Sequence, residues 1–343
     1  MNFGIIYLVC FIAVLILLLI AIEVGGDYST SQILLMVAMT VGNGGYYALA
    51  KASNLEEGIL ACKLTYLVGI FVPILLFFTI CEICAVTLDR RLKTVLMLIQ
   101  VIIYGSVCTI GTLPIYYKTV EFHQQDGIGY ITKTYGPFHT AYIVSMVFYM
   151  VAAIVVAVRA TQRKSKVSSD NVSTLIILEF VTIVAYFVER MTKTTFEVVP
   201  VANTITLFFL FKAVTRIQTY SLIGNTRLID RKINSSGFIV FDTKLRYMGC
   251  NDMAAEIFPE LLTWMQDKKI PGSGGRFNTY LRQPMMAYVE SGNTEEGKGN
   301  PFSIKGQKYI SSFDTIRNKS NRVKGYIIEI NDVTTILEEQ IGD

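Results

Sequence analysis

Seven separate stretches of mostly apolar residues, crowded into the first 215 positions, constrain this chain more than anything else in it. They run at 3–22, 31–50, 58–83, 94–113, 138–158, 171–188 and 197–215. A helix needs about 20 such residues to cross the hydrocarbon core of a bilayer, where backbone is tolerated only if its hydrogen bonds close within the segment. Charge follows the same division: residues 1–211 carry 25 charged side chains, and the shorter remainder, 212–343, carries 33. The chain is 52% apolar and 17% charged, against about 25% charged in an average soluble protein. This excludes a single soluble domain, a disordered chain, a collagen-like repeat and a disulfide framework. The net charge of +4 comes with no long basic run, so nucleic acid is not an expected partner. The first stretch has no Lys or Arg before it, and its apolar run exceeds the 7–15 residues of a signal peptide, so it reads as a span.

Basic residues set the expected orientation. Arg90, Arg91 and Lys93 lie in one short loop, and Arg159, Arg163, Lys164 and Lys166 in another. With Arg216 and Arg227 they make nine, against Lys51, Lys118, Lys133, Arg190 and Lys193 on the other side. The positive-inside bias then puts the N-terminus outside and the C-terminal part in the cytoplasm. The loop at about 113–137 contains Gly127, Gly129, Gly136 and Pro137, and its segments 115–120 and 129–135 are expected to form an extracellular hairpin lid. Most cysteines lie in apolar stretches, where a thiol packs as a small hydrophobe. Cys81 and Cys84 have CxxC spacing without further ligands nearby and read as packing, so no metal is expected; a Cys62–Cys108 bridge stays open.

Past Lys212 the texture is that of a soluble α+β domain. A linker helix is expected over 213–233, then strands at 237–242, 245–248, 302–305, 309–316 and 324–330, with helices at 251–258 and 280–290 between the second and third. The run GFIVFDTKLRYMGCNDMAAEIFPEL, with Asp242 at a turn and Asn251 opening a helix, resembles the start of a PAS domain. The ending Asn331-Asp332-Val333-Thr334 is similar to the Asp-x-Thr that closes many PAS domains, with Asp332 a good cap for a helix at 335–340. The membrane part resembles the seven-helix sensory region at the N-terminus of bacterial histidine kinases and diguanylate cyclases. Tyr135-Gly136-Pro137-Phe138-His139-Thr140-Ala141-Tyr142, the basic loop before span six and the seventh span running into a PAS-like segment carry that likeness.

The resemblance implies an N-out, C-in seven-helix all-α membrane bundle over 1–215 in the bacterial inner membrane. A linker helix at 216–233, a PAS domain with a five-stranded antiparallel sheet at 234–334 and the start of an output helix at 335–343 would follow. It implies a homodimeric receptor that passes a small-molecule signal to an output domain, with Asp242, Asn251, Asp332 and Thr334 as relay residues. The sequence ends nine residues after Thr334, has no GG[DE]EF loop, and has histidines only at 123 and 139, so by itself it is not expected to be an enzyme. No His follows position 139, which leaves histidine-ligated haem out of the C-terminal part; any other cofactor stays unknown.

Ionisable and polar groups within spans are candidate sites because they are costly in lipid, about 2.5–3.5 kcal/mol for a charge at the centre. Glu179, Thr182 and Tyr186 form one stripe of span six, read either as a ligand or proton contact or as interhelical packing. His139, Tyr142, Met146 and Tyr149 share a face of span five, read as a ligand face or as an interfacial aromatic belt. Asn43, among Gly42, Gly44, Gly45 and Tyr46, and Asn203 with Thr204 are further candidates for a pocket or for close packing. Pro73 should kink span three, and Lys212 should snorkel to the interface. Phe238, Val240, Phe258, Met285, Tyr288, Phe302, Tyr309, Phe313 and Ile327 are expected to fill one core in the C-terminal domain. The rival function is a proton-coupled small-molecule transporter working through Glu179. It calls for an internal repeat among the spans, and the sequence has none visible.

Overall fold

The computed structural model describes residues 3–24, 28–84, 86–125, 127–160, 169–192, 197–220, 236–292, 297, 299–317 and 321–334. Side chains at 24, 169–172, 179, 183, 186, 189, 190, 192 and 217–220 are outside that description. The chain divides into two compact units, Met1–Ala160 with Val172–Val214, and Thr161–Asn171 with Thr215–Asp343.

The seven apolar stretches fall on seven helices: α1 (Phe3–Val24), α2 (Thr30–Lys51), α3 (Leu55–Ile83), α4 (Arg90–Cys108), α5 (Pro137–Ala160), α6 (Ser169–Thr192) and α7 (Val199–Tyr220). The first five are long and apolar enough on their own to cross a membrane. Helix α4 stops five residues short of its apolar run. Residues 109–112 turn instead, and Gly111 takes a φ of +87° that a helix does not admit.

The bundle is inverted relative to a soluble one. Ile102 and Val144 are 63% and 64% exposed on its outer surface, whereas Asn43, Gln100 and Asn203 are at most 1% exposed inside. In lipid a polar group must find its partner within the protein. Accordingly Gln100 Nε2 donates to Ser145 Oγ at 2.8 Å and Ser145 Oγ donates back to Gln100 Oε1 at 3.0 Å, joining α4 to α5. Helices α2 and α3 approach closely at two glycines. A Cβ on Gly42 would stand 1.9 Å from Val68 Cγ2, and one on Gly45 would stand 2.8 Å from the Thr65 backbone nitrogen. At one end of the bundle Glu82 of α3 accepts from Ser29 Oγ at 2.6 Å and from Lys93 Nζ at 3.2 Å, tying the starts of α2 and α4 to the end of α3. Helix α3 continues through Pro73, and Lys212 is exposed on α7. Cys81 and Cys84 are fully buried. Cys62 and Cys108 are separate free thiols, the first buried and the second exposed, so the bridge considered from sequence is not made.

The unit is not all-α. Strands β1 (Tyr117–Gln125) and β2 (Ile128–Tyr135) form an antiparallel hairpin between α4 and α5, from Tyr117↔Tyr135 to Gln125↔Ile128. Two residues separate its strands, and Gly127 has a φ of +76°, as a tight hairpin turn requires.

In the second unit, β3 (Ser236–Asp242), β4 (Tyr247–Cys250), β5 (Phe302–Ile304), β6 (Gln307–Arg317) and β7 (Val323–Asp332) form one antiparallel sheet in the order β4-β3-β7-β6-β5. Helices α8 (Asp252–Ile257), α9 (Gly275–Tyr280) and α10 (Arg282–Glu290), with a 3-10 turn at Pro259–Thr263, lie between β4 and β5. The expected single core is two clusters. Ile239, Phe241, Phe258, Met285, Phe302, Phe313 and Ile328 pack in the larger one, while Phe238, Val240 and Ile327 join Met248 and Ile316 in a second. The division follows strand parity: Phe238 and Val240 alternate with Ile239 and Phe241. Leu245, expected in a strand, instead sits in the β3–β4 turn with a φ of +57°, so β4 begins two residues later.

Of the residues proposed as relays, Asn251 holds most. Its Oδ1 accepts from Phe238 N at 2.8 Å and from Ala254 N at 3.1 Å, and its Nδ2 donates to Ser236 O at 2.8 Å, so one side chain caps α8 and ties it to β3. Asp242 accepts from the backbone of Lys244 and Arg246 and from Arg246 Nε, closing the β3–β4 turn. Thr334 Oγ1 accepts from Lys308 N at 2.8 Å, and Asp332 Oδ1 accepts from Thr334 N at 2.9 Å, fastening the end of β7 to β6. The expected helices at 221–233 and 335–340 lie outside the described residues.

Replacing Asn251 by Ala leaves two backbone donors and one acceptor without that side chain, a loss of about 1–3 kcal/mol. Trp264, the single tryptophan, lies in the larger cluster and reports on this unit. Its fluorescence melt in N251A should fall by several degrees; an unchanged midpoint would show that the cap carries no stability.

Candidate functional site

The hairpin end of the bundle contains a partly open cavity of about 380 Å³. Ligand sites commonly measure about 300–1,000 Å³. Its walls come from α2, α3, α5, α6, the segment leading into α7, α7 itself and strand β2.

The floor is set by α3. Gly69 lies against Tyr142 of α5, whose hydroxyl would be 2.8 Å from a Cβ there, so the absence of a side chain admits the tyrosine. Four residues on, Pro73 has no N–H to offer the Gly69 carbonyl, and both residues line the cavity. Helix α5 contributes His139, Tyr142 and Met146, all buried and spaced along one face. They point into the bundle, so this stripe is not the lipid-facing belt of the alternative reading. The His139 ring stacks on Tyr135 with centroids 3.8 Å apart. Tyr66 and Tyr142 meet edge to face at 5.7 Å, and Tyr66 shares a hydroxyl–hydroxyl hydrogen bond with Tyr117 of the hairpin.

Strand β2 closes the cavity with Tyr130, Ile131, Thr132, Lys133 and Tyr135. It lies close over the end of α2: a Cβ on Gly129 would fall 2.7 Å from the Leu49 carbonyl oxygen and 2.9 Å from that of Ala52. Lys133 is half-buried, with Nζ 5.4 Å from the Tyr117 ring centre and 5.9 Å from that of Tyr66, within cation–π range. Burial opposes its charge, but Tyr66, Cys62 and Glu197 outweigh that effect and hold the amine above its ordinary range. Lys133 therefore stays protonated at neutral pH. Tyr117 is driven the other way from ionisation, chiefly by burial, and stays a neutral phenol. Glu197, just before α7, also lines the cavity, and its backbone N–H donates to Tyr7 Oη at 2.8 Å.

From α7, Asn203 reaches the cavity wall. It is 1% exposed, and its Nδ2 has no hydrogen-bond partner. Thr182 of α6 also lines the space, donating to Leu178 O at 3.0 Å and lying 3.3 Å from Thr206 Oγ1.

Of the residues singled out in the sequence, the cavity brings together His139, Tyr142, Thr182 and Asn203. Asn43 is outside its lining: fully buried, it donates to Thr204 Oγ1 at 3.2 Å and joins α2 to α7. The side chains of Glu179 and Tyr186 on α6 lie outside the described residues. Sequence reasoning missed Lys133, Thr65, Tyr66, Tyr130 and Glu197. The available signal was a lysine set among tyrosines on the strand just before the Tyr135–Tyr142 motif.

A membrane-spanning helical region with a cavity of ligand size beneath a hairpin is the class defined by these features. A family model described as the N-terminal 7TM region of histidine kinase matches residues 5–223, well over half of the chain, and the chain belongs to that family. No curated protein matches it.

The hairpin's seat predicts how access to the buried end is controlled. In a variant retaining Cys62 as its single cysteine, Gly129→Val should lift β2 from α2 and raise maleimide labelling of this buried thiol about tenfold or more, a loss of ~1.4 kcal/mol of local protection. Unchanged labelling would mean that β2 does not guard the site.

Proposed function

We propose that this chain is the input part of a membrane receptor. A small molecule binds in the hairpin-end cavity, and the second unit is a PAS domain that relays the bound state to an output domain. The observation that carries the reading is the convergence of His139, Tyr142, Thr182 and Asn203 from three helices on one cavity in a membrane bundle of the histidine-kinase 7TM family.

The PAS reading is supported by a five-stranded antiparallel sheet with its helices between the second and third strands, by Asn251 capping the first helix, and by the Asp332–Thr334 fastening. In this proposal all seven helices span a bacterial inner membrane, the hairpin faces outward and the second unit is cytoplasmic, in keeping with nine basic residues against five. The protein acts as a homodimer. A ligand shifts the bundle between two states only by the difference in its affinity for them, and the relay residues pass on that difference.

Transmembrane relay requires the two ends to lie on opposite sides. In a background without native cysteines, a cysteine replacing exposed Thr119 of the hairpin should react with an impermeant maleimide in intact cells. One replacing exposed Ser303 of β5 should react only after lysis. Equal labelling of both in intact cells would end the receptor reading.

A further inference from the structure

The cavity carries opposite charges, an unused donor and aromatic walls, and these together specify a ligand. Lys133 and Glu197 both line it and are close enough to interact electrostatically. In a site of low dielectric an added unbalanced charge is costly. Against one lysine and one glutamate among the described lining residues, a monoanion or a monocation would leave one charge in excess. A molecule bearing one of each would not. Asn203 adds a buried Nδ2 with no acceptor, and a buried donor left unmade costs free energy that a ligand acceptor removes. The rest of the wall mixes aliphatic side chains with aromatic ones, and Tyr66, Tyr130, Tyr135, His139 and Tyr142 offer ring faces and edges suited to a planar apolar body.

We infer that the cavity takes a zwitterion with an aromatic side group, of the build of an aromatic α-amino acid, its carboxylate meeting Lys133 and Asn203 and its ammonium group meeting Glu197. This rests on the reading of the cavity as a ligand site and names the ligand's chemistry. The two charges fix polarity: a carboxylate accepts from the ammonium of Lys133 and the amide of Asn203, while the ligand ammonium donates to Glu197. Specificity follows by exclusion, since removing either ligand charge leaves its protein counterpart without that partner.

The experiment is saturation-transfer difference NMR on the full chain in nanodiscs. Phenylalanine, tyrosine and tryptophan are each compared with the arylpropionate lacking the ammonium group and the arylethylamine lacking the carboxylate. At least one amino acid should bind, and both of its analogues should bind about tenfold or more weakly, as for a lost charge-assisted pair. Lys133→Gln and Glu197→Gln should each weaken the amino acid by a similar factor. Lys133→Arg should restore most of it, with the bundle's thermal unfolding by far-ultraviolet circular dichroism unchanged as a check on folding. Analogues that bind within about threefold of the amino acid, with binding lost in the cavity-blocking variant Gly69→Trp, would overturn the zwitterion while leaving the cavity as a ligand site. Binding by all three classes that survives Gly69→Trp would overturn both. Binding by none would overturn this inference and leave the site reading to the thiol and topology measurements.

Discussion

Hydrocarbon offers no hydrogen bonds, and that constraint orders the whole first unit. Each polar side chain carried into the bundle has to be answered from another helix. Gln100 and Ser145 answer one another across α4 and α5, and Asn43 finds Thr204 across α2 and α7. Close approach at Gly42 and Gly45 brings α2 and α3 within reach of such partners. Further polar groups come together at the hairpin end. There Asn203 keeps an unmatched donor, and Lys133 shares the space with Glu197. Other buried polar atoms also lack a partner, Asn43 Oδ1 and Thr79 Oγ1 among them, but these lie outside the cavity lining.

The hairpin makes the cavity closable. Its strand β2 supplies Lys133 and Tyr135, and the Tyr66–Tyr117 hydrogen bond links it to α3. Gly129 lets the strand lie against the end of α2. A ligand that touches β2, α5 and α7 at once has differential contacts with any state in which these elements separate, which is the condition for a population shift. In the second unit Asn251 and Thr334 fasten the two ends of the sheet to their neighbours, so a displacement of either strand end is felt as a loss of specific hydrogen bonds.

The membrane helices were legible because burial in lipid writes itself as long apolar runs that survive any register. Helix α4 departed from its run only where Gly111 takes positive φ. The C-terminal strands were legible from β-branched and aromatic runs, but not which core each residue joins: Phe238, Ile239, Val240 and Phe241 are all apolar, so parity leaves no mark in the sequence. On the site, the spacing of His139, Tyr142 and Met146 marked one face of α5, and Asn203 stood out as a polar residue in a span. Lys133 was passed over because a lysine in a polar loop carries no period, even where tyrosines surround it. Only the hairpin's fold over the bundle gives it a role. Asn43 looked the same as Asn203 in sequence and differs in having an acceptor across the helix pair.

Ligand access requires buried Asn203 to border the cavity rather than a sealed helix contact. Its most direct measurement is the reactivity of a cysteine at position 203 toward a small impermeant methanethiosulfonate applied from the hairpin side. A cysteine replacing the outward-facing Phe208, which is 54% exposed on the bundle surface, is the comparison. The cavity predicts modification at 203 and none at 208, where lipid keeps the thiol protonated and the reagent out. An inert 203, or equal reaction at both, would contradict it.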